Sequence, residues 1–182
     1  FRDLPHVGGV AISEDDERIF KLTNMLQKEI IARKKMFSEL GLVNIVSYFE
    51  ATGKRLPYIV LLLDNFAPVY EIYPELDSFF QILARDGGSC GIFFIVTTGT
   101  QSGLNYRISQ NIKSSIALRM TDKNDYISII GRTNGIEPEN YPGRGLAKCT
   151  IPLEFQTALP VDGIRESERV SNIKALISLM NR

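Results

Sequence analysis

Two apolar runs in the chain end in residues that can do chemistry. Tyr58-Ile59-Val60-Leu61-Leu62-Leu63 stops at Asp64-Asn65, and Ile92-Phe93-Phe94-Ile95-Val96 stops at Thr97-Thr98-Gly99. A carboxylate at the tip of a buried strand can hold Mg²⁺, directly or through water, beside the phosphates of a nucleotide. Four apolar residues followed by Asp form the Walker B pattern. By itself the pattern has a second reading, because any buried strand that leaves the core at an Asp shows it, and Asp-Asn also starts turns well. The phosphate cradle GxxxxGK[ST] is absent: Gly53-Lys54 is followed by Arg55, in a polar stretch before the strand. Zinc chemistry is disfavoured, since His6 is the single histidine and Cys90 and Cys149 form no CxxC pair. The spacing of the two cysteines fits ordinary buried thiols better than a disulfide.

The elements that must position these residues follow from the apolar pattern. Ser13 and Asp16 predict a helix start, and Ile19, Leu22, Met25, Leu26, Ile30 and Phe37 recur at helical spacing until Leu40 and Gly41. The basic run Arg33-Lys34-Lys35 reads as the solvated last turn of that helix, where cations suit the macrodipole. Unbroken apolar runs of strand length predict central parallel strands covered by helices on both faces. Between them, residues 70–85 read as one helix ended by Gly87-Gly88. A short helix at 106–112, a third strand at 115–120 and a helix at 125–130 follow. Residues 146–151 and 154–158 read as a late hairpin, and 167–180 as a closing amphipathic helix. Strand, helix, strand, helix, strand is the order of a doubly wound α/β sheet, whose ligands sit at the carboxyl ends of its strands.

Composition sets the outer limits. The chain has 182 residues, 44% hydrophobic and 23% charged, enough apolar material for a sizeable core. Its longest apolar run falls far short of the ~20 residues that span a bilayer. Lys+Arg 21 balance Asp+Glu 21, so the basic surplus usual in a domain that grips nucleic acid is missing. The chain begins Phe-Arg-Asp without Met and reads as a piece of something longer.

The order of motifs resembles one family. Leu4-Pro5-His6, a long helix running into residues 35–45, Leu56-Pro57-Tyr58-Ile59-Val60, residues 91–98 and Gly143-Arg144-Gly145 are similar to the FtsK/SpoIIIE group of RecA-like motor ATPases. Within it, residues 63–66 and 97–101 look most like the EssC/EccC branch, the tandem ATPase domains of type VII secretion membrane proteins. The likeness covers about residues 4–160. It implies a RecA-like P-loop α/β fold with a mostly parallel central sheet and helices on both faces. The ATPase domain is expected over residues 1–160, its cradle lying upstream of Phe1, with residues 161–182 as a helix or linker toward a further domain.

The resemblance also implies roles. Asp64 matches the Mg²⁺-associated carboxylate. Asn65 stands where active members carry the Glu that activates water, and an amide cannot take that proton. Thr98 matches a nucleotide-contacting position, while Gly99 replaces a Gln that senses the γ-phosphate. Arg144, and Arg119 with it, could face a nucleotide or a neighbouring domain. The implied cofactors are ATP and Mg²⁺, bound weakly or not at all in this copy, which the resemblance makes a degenerate ATPase module of a type VII secretion motor that hydrolyses ATP poorly. The implied partners are neighbouring ATPase domains, secreted helical proteins and further copies in a hexamer, on the cytoplasmic side of a bacterial cell membrane. Exposed apolar groups at 70–73 or near Tyr141 are candidate substrate contacts. A DNA-translocating motor and a non-catalytic scaffold remain the alternatives.

Overall fold

The computed structural model describes residues 1–12 and 14–181, apart from the side chain of Gln101. The chain divides into two compact units, Ser13–Ser114 and Phe1–Ile12 with Ser115–Arg182.

The first unit opens with α1 (Asp16–Glu39), capped by Asp15, whose carboxylate accepts the Arg18 N–H. Ser13, expected as the cap, lies outside the described residues. Leu26, Ile30 and Phe37 form the buried stripe of α1, whereas Met25, expected among them, is exposed. After α2 (Ile45–Thr52), β1 (Ile59–Leu63) pairs in parallel with β2 (Ile92–Val96), Ile59 opposite Ile92 and Leu63 opposite Val96. The helix expected over 70–85 is broken into α3 (Phe66–Ile72), a 3₁₀ turn at Pro74–Leu76 and α4 (Asp77–Asp86). Pro74 explains the break, because it has no N–H to continue the helix and sits well in a first turn. Gly87 closes α4 where a Cβ would lie 2.5 Å from the Ile92 and Leu83 carbonyl oxygens. A 3₁₀ turn (Gly88–Cys90) then leads into β2, and α5 (Tyr106–Ser109) follows it.

Helices cover one face of the β1–β2 pair. Ile59, Leu61, Leu63, Phe94 and Val96 pack on the core of Phe66, Phe79, Phe80 and Leu83. The other face is open, with Val60 55%, Leu62 65% and Ile95 50% exposed beside Tyr58 and Phe93. The expected burial on both faces therefore holds on one, because in a strand alternate side chains point to opposite sides.

Arg33 reverses its sequence reading. It stands well inside α1 at 1% exposure, and its guanidinium donates to the Pro57 and Cys90 carbonyls at 2.9 and 2.8 Å and to Glu29 at 2.7 Å. The two lysines that follow it do lie at the surface, and Lys34 reaches Asp86 across the unit at 3.1 Å.

The second unit holds β3 (Ile116–Leu118), α6 (Lys123–Ile130), β4 (Arg144–Ala147), β5 (Leu153–Gln156) and α7 (Glu166–Met180). Here the third strand departs from expectation: β3 pairs antiparallel with β4 rather than joining β1 and β2. The late hairpin is present as β4 and β5, about two residues earlier than its sequence signal. Ala117 and Leu146 pack on Tyr126 and Ile130. None of the 15 residues of α7 is buried. Both cysteines are free; Cys90 is buried as expected and Cys149 is exposed, contrary to expectation.

Two predictions follow from the ties around α1. Arg33→Met should cost about 2–4 kcal/mol in urea unfolding, because buried carbonyls lose their donor. Glu29→Gln, nearer the surface, should cost under about 1 kcal/mol. The Arg85 hydrogen bond first, and Lys34 second, hold the Asp86 carboxyl at about 2 against the opposing effect of burial. A depressed folded-state value favours the folded state above the ordinary carboxylate range and loses that effect as pH falls through about 2. Acid unfolding of Asp86→Asn should therefore lack the part of the wild-type stability loss that falls between pH 4 and about 2.

Candidate functional site

Parallel pairing in register makes the residues after β1 and β2 neighbours. The Thr97 N–H donates to the Leu63 carbonyl at 3.0 Å, and the Thr97 carbonyl accepts the Phe66 N–H at 2.9 Å. Between these, the Thr97 hydroxyl accepts the Asn65 N–H at 2.9 Å and donates to Asp64 Oδ1 at 2.5 Å. The direction is fixed chemically: an oxygen that accepts from an N–H has its one proton left for the carboxylate.

Asn65 turns the chain from β1 into α3 with φ 57° and ψ 75°, the left-handed region that Asn tolerates better than most residues. Phe66 then enters the core fully buried, against Tyr70, Phe80 and Phe94. Backbone strain at Asn65 is thus held between a buried aromatic ring on one side and Thr97 on the other.

Asp64, Asn65, Thr97 and Thr98 are all exposed. Among the described residues no donor bonds the second Asp64 oxygen. A single free carboxylate oxygen suits Mg²⁺, which favours oxygen ligands and takes most of them from water and phosphates. No group of three or more His, Cys, Asp or Glu among the described residues could cage an ion without such outside ligands. The donor set therefore fits a nucleotide-borne Mg²⁺, while the sequence offers no cradle for the phosphates themselves.

The expected residues do not all converge. Asp64 and Asn65 meet at the strand ends. Thr98 turns toward its own loop, donating to the Thr100 carbonyl at 2.9 Å. Arg144 belongs to the other unit, where its guanidinium lies 3.4 Å from Glu139 and 3.7 Å from Glu154. Arg119, in that unit too, donates to Asn140. Tyr70 is engaged with Asp77 and Asn105, and Tyr73 is buried with its hydroxyl on Asp16, so neither ring is an open docking group. Ile72 and Tyr141 remain exposed. Sequence reasoning set Thr97 among the polar residues closing the second strand but gave it no role. Aligning the two strand ends, Leu63 with Val96, would have placed its hydroxyl beside Asp64.

Comparison with known proteins adds an independent line. The FtsK/SpoIIIE family profile matches residues 1–145. The ESX secretion system protein EccC of Geobacillus thermodenitrificans is 34% identical over 173 residues, 95% of this chain but 12% of that protein's length. The solved structure of EssC ATPases 2 and 3 from the same organism superposes with a TM-score of 0.90 at 33% identity, covering 98% of this chain and 34% of that one. EccC ATPases 2 and 3 of Thermomonospora curvata, solved with a signal sequence peptide, gives 0.80 at 27% identity over 98% of this chain and 33% of its own. The fold is accordingly the α/β fold of these ATPase domains.

The turn at position 65 can be tested without any ligand. Asn65→Ala should lower stability by about 1 kcal/mol, because a Cβ-bearing residue without a local hydrogen-bonding side chain pays for left-handed backbone. Asn65→Gly should change it by only a few tenths, since Gly adopts this conformation freely. Urea midpoints of the two variants separate backbone strain from any loss of side-chain contact.

Proposed function

The chain belongs to the FtsK/SpoIIIE family, and from that premise we propose that it serves as a weakened ATPase module of a type VII secretion motor. The observation that carries this reading is the exposed Asp64 carboxylate at the carboxyl end of a parallel strand pair, followed by an amide at position 65. Asp64 would hold Mg²⁺. When bound, Mg²⁺ would neutralise phosphate charge during transfer. Asn65 has no proton-accepting carboxylate, and a general base is typically worth ~10²–10⁴-fold. Gly99 has no side chain to sense the γ-phosphate. Arg144 would need to leave Glu139 and Glu154 to reach a nucleotide or a neighbouring domain.

The open face of the β1–β2 pair supports a further part of the proposal. Tyr58, Val60, Leu62, Phe93 and Ile95 form the kind of apolar surface that a soluble domain covers. Preceding residues of a longer protein, carrying the cradle, would supply that cover. Residues 1–160 would then complete one ATPase domain, and residues 161–182, with the unburied α7, would lead toward the next.

The chain spans 12% of the length of the Geobacillus relative, and the working assembly we propose is larger than this chain. Small helical secreted proteins are the proposed cargo, in keeping with the signal peptide bound to the Thermomonospora protein. Tandem domains and a ring of copies, with the module on the cytoplasmic side of the cell membrane, complete the proposed setting. No helix among the described residues is long and apolar enough to cross a membrane. The secretion relatives favour this role over DNA translocation.

Calorimetric titration of Mg-ATP into the protein lengthened at its N-terminus tests the reading. Weak binding is expected, with its Mg²⁺-dependent part removed by Asp64→Ala. Asn65→Glu should raise hydrolysis only slightly, because Gly99 remains and the new side chain must occupy a left-handed turn. No binding would leave a scaffold that has kept the fold alone. Turnover at about 1–100 s⁻¹, unchanged in Asn65→Ala, would show that water is activated elsewhere.

A further inference from the structure

We propose that Thr97 is the positioning residue of the metal site, its hydroxyl orienting the Asp64 carboxylate and fixing the turn at Asn65. The proposal rests on the nucleotide reading above and adds a residue to which neither the sequence pattern nor the comparisons give a role.

The backbone and the side chain of Thr97 do separate jobs. Its N–H and carbonyl bond Leu63 and Phe66, which sets the strand register and the start of α3. Any residue except proline would make both bonds. Among the described residues the hydroxyl hydrogen-bonds only to Asp64 and Asn65, the two positions where chemistry is expected. It is therefore dispensable for register and specific to the site.

Its effect on Asp64 is directional. An Asp side chain at an exposed strand end samples several rotamers, and ordering one of them on binding an ion costs entropy. A donor on Oδ1 selects the rotamer beforehand and leaves Oδ2 as the oxygen available to a cation. The hydrogen bond is charge-assisted, so it is stronger than a neutral pair. The Thr97 hydroxyl oxygen also accepts the Asn65 N–H, which fixes the peptide between positions 64 and 65. One hydroxyl thus couples carboxylate orientation to the left-handed turn. Thr98 cannot take its place, because its own hydroxyl is committed to Thr100.

Thr97→Val keeps the β-branched shape and removes both hydrogen bonds, while Thr97→Ser restores the hydroxyl. Two measurements on each variant test the proposal. The first uses this chain without ligand and follows amide exchange at Asn65, where Val should lose protection by roughly 10-fold, one net hydrogen bond's worth, and Ser should retain it. The second uses the intact protein and titrates ATP with Mn²⁺, a paramagnetic stand-in for Mg²⁺, and again in EDTA. Val should weaken Mn-ATP binding by about 5–10-fold while leaving metal-free ATP binding unchanged, and Ser should return within about 2-fold of wild type. A Val variant that binds Mn-ATP as tightly as wild type overturns the proposal. So does one that loses metal-free ATP to the same degree, since that marks a general structural role. Wild-type protein that binds no Mn-ATP overturns the nucleotide reading itself, and the metal role of Thr97 falls with it. Loss of protection at Asn65 in the Val variant would then show the hydrogen bonds without a metal function.

Discussion

The β1–β2 pair depends on a buried cation. Two parallel strands alone make a poor sheet, because the ladder is short and parallel pairing is slightly weaker than antiparallel. Arg33 compensates from α1. Its guanidinium reaches the Pro57 carbonyl just before β1 and the Cys90 carbonyl just before β2, and Glu29 balances the charge from the same helix. A planar fork of donors suits this task in a way a lysine ammonium does not, since it can serve separate acceptors at fixed angles. The amino ends of both strands are thereby fastened to the longest helix. Desolvating one guanidinium is tolerable only because its donors find partners.

The carboxyl ends are fastened by the opposite means, with Thr97 in place of a charge. A small hydroxyl at the exposed end does locally what a large buried cation does at the other. On the proposed reading, the arrangement separates stability from chemistry. Arg33 is inaccessible and holds the fold, whereas Thr97, Asp64 and Asn65 are open to solvent and free to meet a ligand. The aromatic cluster of Phe66, Phe80 and Phe94 joins the two ends, so that α3 leaves the exposed turn already anchored in the core.

Much of this was legible in the sequence because its signals were local. The strands at 59–63 and 92–96, the long first helix, the late hairpin and the polar residues closing each strand all followed from apolar runs and their stops. What escaped needed information across the sheet. Arg33 sits in a basic run whose neighbours Lys34 and Lys35 do lie at the surface, and although it falls on the helical stripe between Ile30 and Phe37, its charge reads as solvated. The two carbonyls it serves lie 24 and 57 residues away. The third strand has the apolar content of a sheet strand, but its partner is decided by pairing at β4, not by composition. Thr97 was visible as a letter yet not as a contact, since its meaning depends on strand register. The family resemblance named Asp64 and Asn65; only the paired strands bring Thr97 beside them.

Position 65 carries two demands that pull in different directions. The turn out of β1 requires left-handed backbone, for which Asn is among the best residues after Gly. Base catalysis, on the nucleotide reading, requires a carboxylate, and the Glu that would supply it adopts the left-handed turn less readily than Asn. A module freed from hydrolysis would be expected to settle on the residue that suits the backbone, and Asn keeps a polar side chain there, one methylene shorter than Glu. The Asp64 carboxylate faces no such conflict, because its backbone continues the strand and its side chain is oriented by Thr97. On the proposed reading, a carboxylate held by Thr97 beside an amide at position 65 would suit a site that binds nucleotide more readily than it turns it over.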